Sequence, residues 1–397
     1  MATIGIDARM YGPAQTGIGT YIQYLLKHLA LLDKTNEYVL FVRDEGDPGF
    51  RFQVSGFRTV RVNAHWYSLA EQTKFLAALY KAKCDLVHFP HFNLPLLYNR
   101  PFVVTIHDLT PKFFPGHKIG KSPLRRRAYD LVLNHAVHGA KAVITPSEFT
   151  KNDVIRHLKV KPEKIAVIYE GIKDKLAPAE AAALLNNFEA EKQQAFQRLQ
   201  IKFGHARITK PFIFYVGVWR NHKNVTGLIK AFHILVNEYR MDYQLVIGGK
   251  EDPHYPEVRA TWRTLGLDER VYTPGMIFGE ELNLFYRAAR LFALPSFYEG
   301  FGLVTVEALN QGTPVVASLE GPVPEVIGEA GVYFDPKDPE QMAKVMADLL
   351  KDPARQKHLV QKGQKTIEKY RWENMAREAL GVYKKVISTK YQTSSSK

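Results

Sequence analysis

Residues 290–310 have the sequence RLFALPSFYEGFGLVTVEALN. Residues 290–294 predict a buried strand, and residues 303–310 predict the helix that follows a glycine-rich turn. A helix that begins after such a turn presents free backbone N–H groups at its positive end, which suits a diphosphate. Glu299 lies before the turn and Glu307 lies more than one helical turn inside the helix. The two carboxylates are therefore placed to accept hydrogen bonds from hydroxyl groups on either side of a bound diphosphate.

Short apolar runs alternate with longer helical patterns on both sides of this stretch, which is typical of parallel sheets built from βαβ units. In the first half, the predicted strands are residues 4–8, 38–42, 59–62, 86–89, 103–106, 142–145 and 165–169. In the second half, they are residues 212–216, 243–247, 271–273, 291–294, 315–317 and 332–334. A chain of 397 residues is long enough for two domains with separate cores. The sequence predicts an α/β fold with a ligand cleft at the carboxyl ends of two sheets.

The composition is that of an ordinary globular protein, with 46% hydrophobic and 24% charged residues. The sequence has no run of eighteen apolar residues and begins directly in a predicted strand, so we expect neither a membrane span nor a signal peptide. The single cysteine, Cys84, leaves no intramolecular disulfide and fits a reducing compartment. We therefore expect a cytoplasmic protein.

The chain is basic, with 54 Lys and Arg against 40 Asp and Glu, a net charge of +14 and a pI near 9.5. This charge predicts anionic partners. The segment between Asp108 and Asp130 contains no acidic residue and holds the basic residues Lys112, Lys118, Lys121, Arg125, Arg126 and Arg127. With the apolar pair at 113–114, the segment predicts peripheral binding to the inner face of the cell membrane. A basic face that attracts an acidic acceptor is the equal alternative.

The run from Glu299 to Glu307, followed by GTPVVAS at residues 312–318, resembles the signature of the retaining GT-B glycosyltransferases of the group 1 family, two Glu separated by seven residues. The resemblance covers nearly the whole chain. It implies two Rossmann-like parallel-sheet domains that face across a cleft. It also implies retaining transfer of a hexose from a nucleoside-diphosphate sugar to a lipid-linked, saccharide or other hydroxyl acceptor. Similarity to bacterial mannosyl- and related hexosyltransferases favours GDP-mannose or a UDP-sugar as donor, in polysaccharide biosynthesis.

The resemblance implies a domain division as well. Residues 1–175 would form the acceptor-side domain, together with a crossover helix at about residues 375–390. Residues 176–210 would form a linker with an inserted helix. Residues 211–374 would form the domain that binds the nucleotide sugar.

In the resembled family, Glu299 would position the donor sugar and Glu307 would hold the ribose hydroxyls. The turn before the helix, where the diphosphate would bind, consists of Gly300, Phe301, Gly302 and Leu303. The base would rest on the loop that contains Met276 and Ile277.

Arg220 and Lys223 lie on a loop after the predicted strand 212–216. Two cations in such a loop can clamp two phosphate groups. The resemblance gives them the role of neutralising the leaving nucleoside diphosphate. The family more often has Arg directly before Lys, and here His222 occupies that place, so Lys223 is the firmer assignment.

Three further features belong to the first half. Gly17 and Gly19, after the first strand, allow a close backbone approach to a ligand, and the family loop faces the donor diphosphate. His107, at a predicted strand end, would orient donor hydroxyls by the same resemblance. His88 and His91 have a spacing that invites a metal, but without cysteine or carboxylate partners nearby we interpret them as structural.

Other signatures argue against other chemistries. A dinucleotide fingerprint needs glycine where the chain has Ile22, and residues 116–122 lack the glycine spacing of a P-loop. The sequence has no Asp-x-Asp motif, so we expect catalysis without a bound metal or other cofactor, with Lys223, Arg220 and the helix start supplying the positive charge.

A nucleotide-sugar epimerase or hydrolase on the same scaffold remains an alternative. A nucleic-acid-binding protein is a second alternative from its charge, but no zinc module or RNP motif supports it, and we expect no nucleic-acid partner.

Overall fold

The computed structural model describes residues 1–12, 16–43, 57–117, 122–173 and 175–395. Lys118 and Lys121 lie outside these residues. The chain divides into two compact units, Met1–Gly171 with Tyr370–Lys397, and Ile172–Lys369. Across the described residues, no helix combines the length and apolar character that a bilayer span requires.

The strands are β1 (Thr3–Asp7), β2 (Glu37–Val42), β3 (Phe57–Arg61), β4 (Leu86–Phe89), β5 (Phe102–Thr105), β6 (Ala142–Thr145), β7 (Ile165–Val167), β8 (Phe212–Val216), β9 (Gln244–Gly248), β10 (Val271–Gly275), β11 (Leu291–Leu294), β12 (Val315–Ser318) and β13 (Gly331–Phe334). The α-helices are α1 (Thr16–Leu32), α2 (Leu76–Ala82), α3 (Thr110–Phe113), α4 (Pro123–Gly139), α5 (Glu148–Leu158), α6 (Pro178–Asn186), α7 (Phe188–Lys202), α8 (Val225–Asn237), α9 (Glu257–Thr264), α10 (Gly279–Ala288), α11 (Leu303–Asn310), α12 (Val323–Ile327), α13 (Pro339–Leu350), α14 (Pro353–Thr366) and α15 (Trp372–Ser395). One π-helical turn spans Glu71–Phe75, and 3-10 turns span Pro162–Lys164, Asn221–Lys223, Gly328–Ala330 and Ile367–Lys369.

The first unit contains a parallel sheet in the order β3-β2-β1-β4-β5-β6-β7. The inner strands are buried apolar runs, because helices cover both faces of such a sheet. Helix α15 belongs to this unit through a buried chain of hydrogen bonds. His88 Nδ1 lies 2.6 Å from the Tyr383 hydroxyl, and His88 Nε2 lies 2.8 Å from Thr105 Oγ1. Both ring nitrogens of His88 are thus occupied by structural contacts.

The second unit contains a parallel sheet in the order β10-β9-β8-β11-β12-β13. Counted within the unit this is the order 3-2-1-4-5-6, so the direction of winding reverses between β8 and β11. The prediction of two Rossmann-like parallel sheets is confirmed. In open α/β sheets a ligand binds beyond the carboxyl ends of the strands at this switch point. The loops after β8 and β11 are therefore the expected ligand site of this unit.

Residues 176–210, expected to form a linker, lie within the second unit. Leu184 of α6 lies so close to Gly312 that a Cβ there would meet its side chain at 2.2 Å. Lys192 of α7 is 3% exposed and donates hydrogen bonds to the carbonyls of Arg287 and Ala289 at the end of α10. Both helices therefore pack as part of that unit's core.

Candidate active site

The switch point of the second sheet brings a cation and a carboxylate together. Lys223 lies on the loop after β8, and Glu299 lies on the loop after β11. Lys223 Nζ donates a hydrogen bond of 2.6 Å to Glu299 Oε1. The side chains are 21% and 13% exposed, so the pair is shielded but reachable from solvent.

Buried hydrogen bonds fix the two loops against each other. The backbone N–H of Phe297 donates to the carbonyl of His222 at 2.8 Å. The amide of Asn224, a buried residue at φ 50°, donates to the carbonyls of Pro295 at 3.1 Å and Pro336 at 2.7 Å. Gly227 makes room for this amide, since a Cβ there would lie 2.4 Å from its oxygen. The positions of Lys223 and Glu299 are therefore set by the backbone of both loops.

Glu299 is held as a carboxylate. Ser296 Oγ, which is buried, donates to the same Oε1 atom at 2.8 Å. Burial acts to raise the pKa of Glu299, but the charge and hydrogen bond of Lys223 and the hydrogen bond of Ser296 outweigh it, and the pKa falls below its usual value. Neighbouring His222 remains neutral at physiological pH, because burial and Lys223 lower its pKa to about 4.

Arg220 takes a different direction from Lys223. Its side chain is 49% exposed, and its Nε donates at 3.1 Å to Asp252 on the loop after β9. The structure thus places one of the two predicted clamp cations, Lys223, against Glu299, and gives Arg220 a partner elsewhere at the sheet end.

The turn before α11 is shaped by glycine. Gly302 precedes the helix at φ 82°, and Thr305 donates to its carbonyl from both its backbone N–H at 2.9 Å and its hydroxyl at 2.7 Å. Gly321, at φ 88° after β12, lies close enough that a Cβ would be 3.7 Å from the backbone nitrogen of Glu299. The predicted residues Gly300, Phe301, Gly302 and Leu303 thus form the entry to α11, beside Glu299.

Glu307 lies on α11, where its Oε2 accepts a 2.9 Å hydrogen bond from the buried hydroxyl of Tyr286. It lines a small cavity of ≈ 40 Å³. The other lining residues are Lys173, Gly279, Leu282, Asn283, Asn310 and Gln311. The predicted base-binding residues Met276, 48% exposed, and Ile277, buried, lie on the loop that leads into α10 at this cavity.

The remaining predicted residues belong to the first unit. Both ring nitrogens of His107 have protein contacts, Nε2 with the carbonyl of Pro90 at 2.9 Å and Nδ1 with Glu170 at 3.3 Å. Gly17 and Gly19 lie in the first turn of α1 and not in a loop before the helix. Among the described residues outside its own helical turn, nothing lies within 4 Å of a Cβ built at Gly17.

Arg125, Arg126 and Arg127 are exposed on the first turns of α4. The outward face of α4 also carries Leu124, 77% exposed, and Leu131, 59% exposed, two turns apart. This face therefore combines exposed apolar and basic side chains.

Several residues of these sites were not predicted from the sequence. Ser296, Tyr286, Asp252 and Glu170 hold Glu299, Glu307, Arg220 and His107 respectively. Only Ser296 carried a signal, since it lies on the same loop as Glu299. Over the described ranges, no three His, Cys, Asp or Glu side chains cluster closely enough to hold a metal ion.

Two family models match the chain. Glycosyl transferases group 1 matches residues 197–366, and Glycosyltransferase Family 4 matches residues 15–176. The chain is 27% identical over 391 residues to the O-antigen chain mannosyltransferase B of Escherichia coli, covering 93% of this chain and 96% of that protein. It is 28% identical to the MMP alpha-(1->4)-mannosyltransferase of Mycolicibacterium hassiacum, over 68% of this chain and 60% of that protein.

Solved structures share the fold. Sucrose-phosphate synthase from Thermosynechococcus elongatus has a TM-score of 0.76 at 24% identity, over 98% of this chain and 100% of that chain. Anabaena HepE in complex with UDP and glucose has a TM-score of 0.72 at 17% identity, over 97% of this chain and 100% of that chain.

Proposed function

Because the chain belongs to the glycosyl transferases of group 1, we propose that it transfers a hexose from a nucleoside-diphosphate sugar to a hydroxyl acceptor with retention of anomeric configuration. The predictions of a glycosyltransferase and of the GT-B fold are confirmed by the family and the related structures. The observation that carries the proposal is the contact between Lys223 and Glu299 at the switch point, because it joins a cation for phosphate to a carboxylate for hydroxyls.

The diphosphate would bind between Lys223 and the start of α11. Breaking the bond from sugar to phosphate develops negative charge on the diphosphate, and fixed donors lower the barrier when they face that charge. Lys223 supplies an ammonium, and α11 supplies the backbone N–H groups of Leu303 and Val304 in its first turn, since that of Thr305 already donates to Gly302. One donor of this kind lowers the barrier by about 2.7–4 kcal/mol.

The two carboxylates would hold the two ends of the donor. Glu299 has Oε1 occupied by Lys223 and Ser296, which leaves Oε2 to accept from a sugar hydroxyl. Glu307, beside the small cavity, would accept from the ribose, with the base near Ile277. The acceptor hydroxyl would then attack from the leaving-group side, and a diphosphate oxygen would take its proton.

We propose that the protein, without a divalent ion, supplies the positive charge that this reaction needs. Lys223 and α11 already provide cationic and N–H donors at the proposed diphosphate site. Transfer should therefore continue at its usual rate in EDTA. A rate that falls at least tenfold in EDTA and returns with added Mg²⁺ would contradict this part of the proposal.

GDP-mannose is our first choice of donor, since the related proteins from Escherichia coli and Mycolicibacterium hassiacum are named mannosyltransferases. A UDP-sugar is the second choice, because the related HepE structure contains UDP and glucose. Melting temperatures in the presence of GDP, UDP, ADP and their sugars should rise most for one base. Mass spectrometry with that donor and a lipid-linked saccharide fraction should then show one added hexose. Sugar released or inverted without an acceptor would instead favour a hydrolase or an epimerase.

We further propose that the exposed face of α4 attaches the enzyme to an anionic membrane surface that holds a lipid-linked acceptor. Basic side chains near anionic lipid contribute about 1 kcal/mol each, and exposed leucines add burial in the interface. Co-sedimentation with anionic vesicles should fall with salt and with the change of Arg125, Arg126 and Arg127 to Glu. The same charge reversal of Arg355, Lys357 and Lys365 on α14 is the matched control. Equal recovery in the supernatant with and without anionic vesicles would favour an acidic acceptor instead.

A further inference from the structure

We propose that Glu299 competes with the bound diphosphate for Lys223, so that the site binds the intact donor in preference to the free nucleoside diphosphate. The inference rests on the proposed function, since it assumes a diphosphate at Lys223. It adds a role for the ion pair itself, which is to weaken the hold on the product.

The competition follows from the contacts of Lys223. Among the described residues, Glu299 is the one that accepts a hydrogen bond from Lys223 Nζ, at 2.6 Å. Both side chains are largely shielded, which strengthens their attraction relative to an exposed pair. An incoming phosphate is attracted by the ammonium and repelled by the carboxylate that already neutralises it. Binding of the phosphate therefore has to share or break an existing contact.

Glu299 would keep its position during this exchange because it has a second donor. Ser296 Oγ is buried and donates to the same Oε1 atom at 2.8 Å. The backbone bond from Phe297 to His222, at 2.8 Å, joins the two loops independently of Lys223. The lysine side chain can therefore turn to a phosphate while the carboxylate and both loops stay fixed.

The intact donor and the product differ in what they return to Glu299. A donor sugar supplies a hydroxyl to the carboxylate, which compensates for the contact that Lys223 gives up. A free nucleoside diphosphate supplies none, so it leaves a shielded carboxylate with fewer donors, which is costly. After transfer, the return of Glu299 to Lys223 would help to displace the nucleoside diphosphate.

Calorimetric titration of GDP, UDP and the corresponding hexose conjugates into wild type and Glu299→Gln tests this exchange. The amide keeps the shape of the side chain and removes its charge. We expect the variant to bind the free nucleoside diphosphate about threefold to tenfold more tightly than wild type. The intact donor should not gain affinity, because its hydroxyl contact is weakened at the same time. Glu299→Ala should likewise bind the free nucleoside diphosphate more tightly without binding the intact donor more tightly. This second variant excludes an effect that is specific to the amide.

Glu320→Gln is the matched control, since Glu320 is a partly exposed carboxylate paired with Lys337 near the same sheet end, and its loss should leave both affinities unchanged. Unchanged or weaker binding of the free nucleoside diphosphate in both Glu299 variants would overturn the inference. If Lys223→Ala still weakens that binding, the proposed phosphate site stands without the exchange. If Lys223→Ala has no effect either, the proposed function loses its site as well.

Ser296 has a separate test as a positioning residue. Ser296→Ala should lower kcat for transfer and leave the donor KM near its wild-type value, and Ser296→Thr should restore kcat by returning the hydroxyl. A parallel rise in KM without loss of kcat would contradict the positioning role.

Discussion

In each of the two units, the segment after the first strand of the sheet carries a cation that pairs with a carboxylate. The two cations differ in how fully protein groups surround them. Arg9, after β1, is 2% exposed and donates to Asp7 at 2.9 and 2.8 Å and to Glu71 at 2.8 Å. Its guanidinium also lies 3.8 Å from the centre of the Phe75 ring. Lys223, after β8, is 21% exposed and binds one carboxylate. The same topological position thus carries a closed structural network in the first unit and an accessible cation in the second.

The two cations differ in their remaining capacity to bind an anion. A buried guanidinium paired with two carboxylates is shielded from an incoming anion, whereas an accessible ammonium paired with a single carboxylate can turn to a phosphate. Removing Arg9 should therefore affect stability, and changes at the second switch point should affect binding and transfer.

The largest expected effect is on stability in Arg9→Leu. Two buried carboxylates would lose their cation, which costs about 3–5 kcal/mol. Urea unfolding followed by circular dichroism should show an early transition. Arg220→Leu, at an exposed pair, is the control. A change below about 1 kcal/mol in Arg9→Leu would show that the first network is not the structural element described.

Glu299→Gln should lower the rate of sugar transfer about 10²- to 10³-fold with the fold preserved, because the carboxylate positions the donor. Steady-state kinetics with the donor from the melting-temperature panel measures the rate, and the melting temperature checks the fold. Glu320→Gln serves as the control. Transfer at the wild-type rate in Glu299→Gln would remove Glu299 from the site.

A buried histidine of the first unit should make the free energy of unfolding depend on pH. Burial and His107 lower the pKa of His88 to about 3, so the folded state resists the proton that the unfolded chain takes up below pH 6.5. Stability is therefore lost as the pH falls from 6.5 towards 3, by about 2 kcal/mol at pH 5 for this residue. His88→Gln, which keeps hydrogen-bonding atoms, should flatten the pH dependence of the free energy of unfolding. An equal slope in both proteins would contradict the assignment.

The smallest effect is expected for Arg220→Ala. The Arg220 side chain that donates to Asp252 is half exposed, so the free energy of unfolding should change by less than about 1 kcal/mol. Affinity for a nucleoside diphosphate should fall less than in Lys223→Ala. A larger fall than in Lys223→Ala would mean that Arg220 turns from Asp252 to the phosphate.

Most of the fold could be predicted from the sequence, because parallel strands buried on both faces are continuous apolar runs. Each predicted strand corresponds to an observed one, and the differences lie at the ends: β3 was predicted at residues 59–62 and spans Phe57–Arg61. The packing of α6 and α7 could not be predicted. An inserted helix was predicted within residues 176–210, but the contact of Leu184 with Gly312 joins positions far apart in the chain.

The loops that form the candidate site could be predicted from the sequence, but the side-chain contacts between them could not. Glu299, Glu307 and Lys223 follow from the glycine turn and the sheet ends. The direction of Arg220 depends on Asp252, a residue on another loop with no local signal. Arg9 and Glu71 look like ordinary surface charges in the sequence, because burial of a charge depends on partners that only the fold brings together.

Lys223 at the second switch point should bind the diphosphate of the nucleotide. Calorimetric titration of GDP and guanosine into wild type, Lys223→Ala and the control Lys230→Ala, an exposed lysine of α8, tests it most directly. We expect Lys223→Ala to weaken binding of GDP about 10- to 100-fold, with UDP replacing GDP if the melting-temperature panel selects it. Guanosine binding should be unchanged, and Lys230→Ala should match wild type. Equal dissociation constants for the diphosphate in Lys223→Ala and wild type would show that Lys223 does not hold the diphosphate.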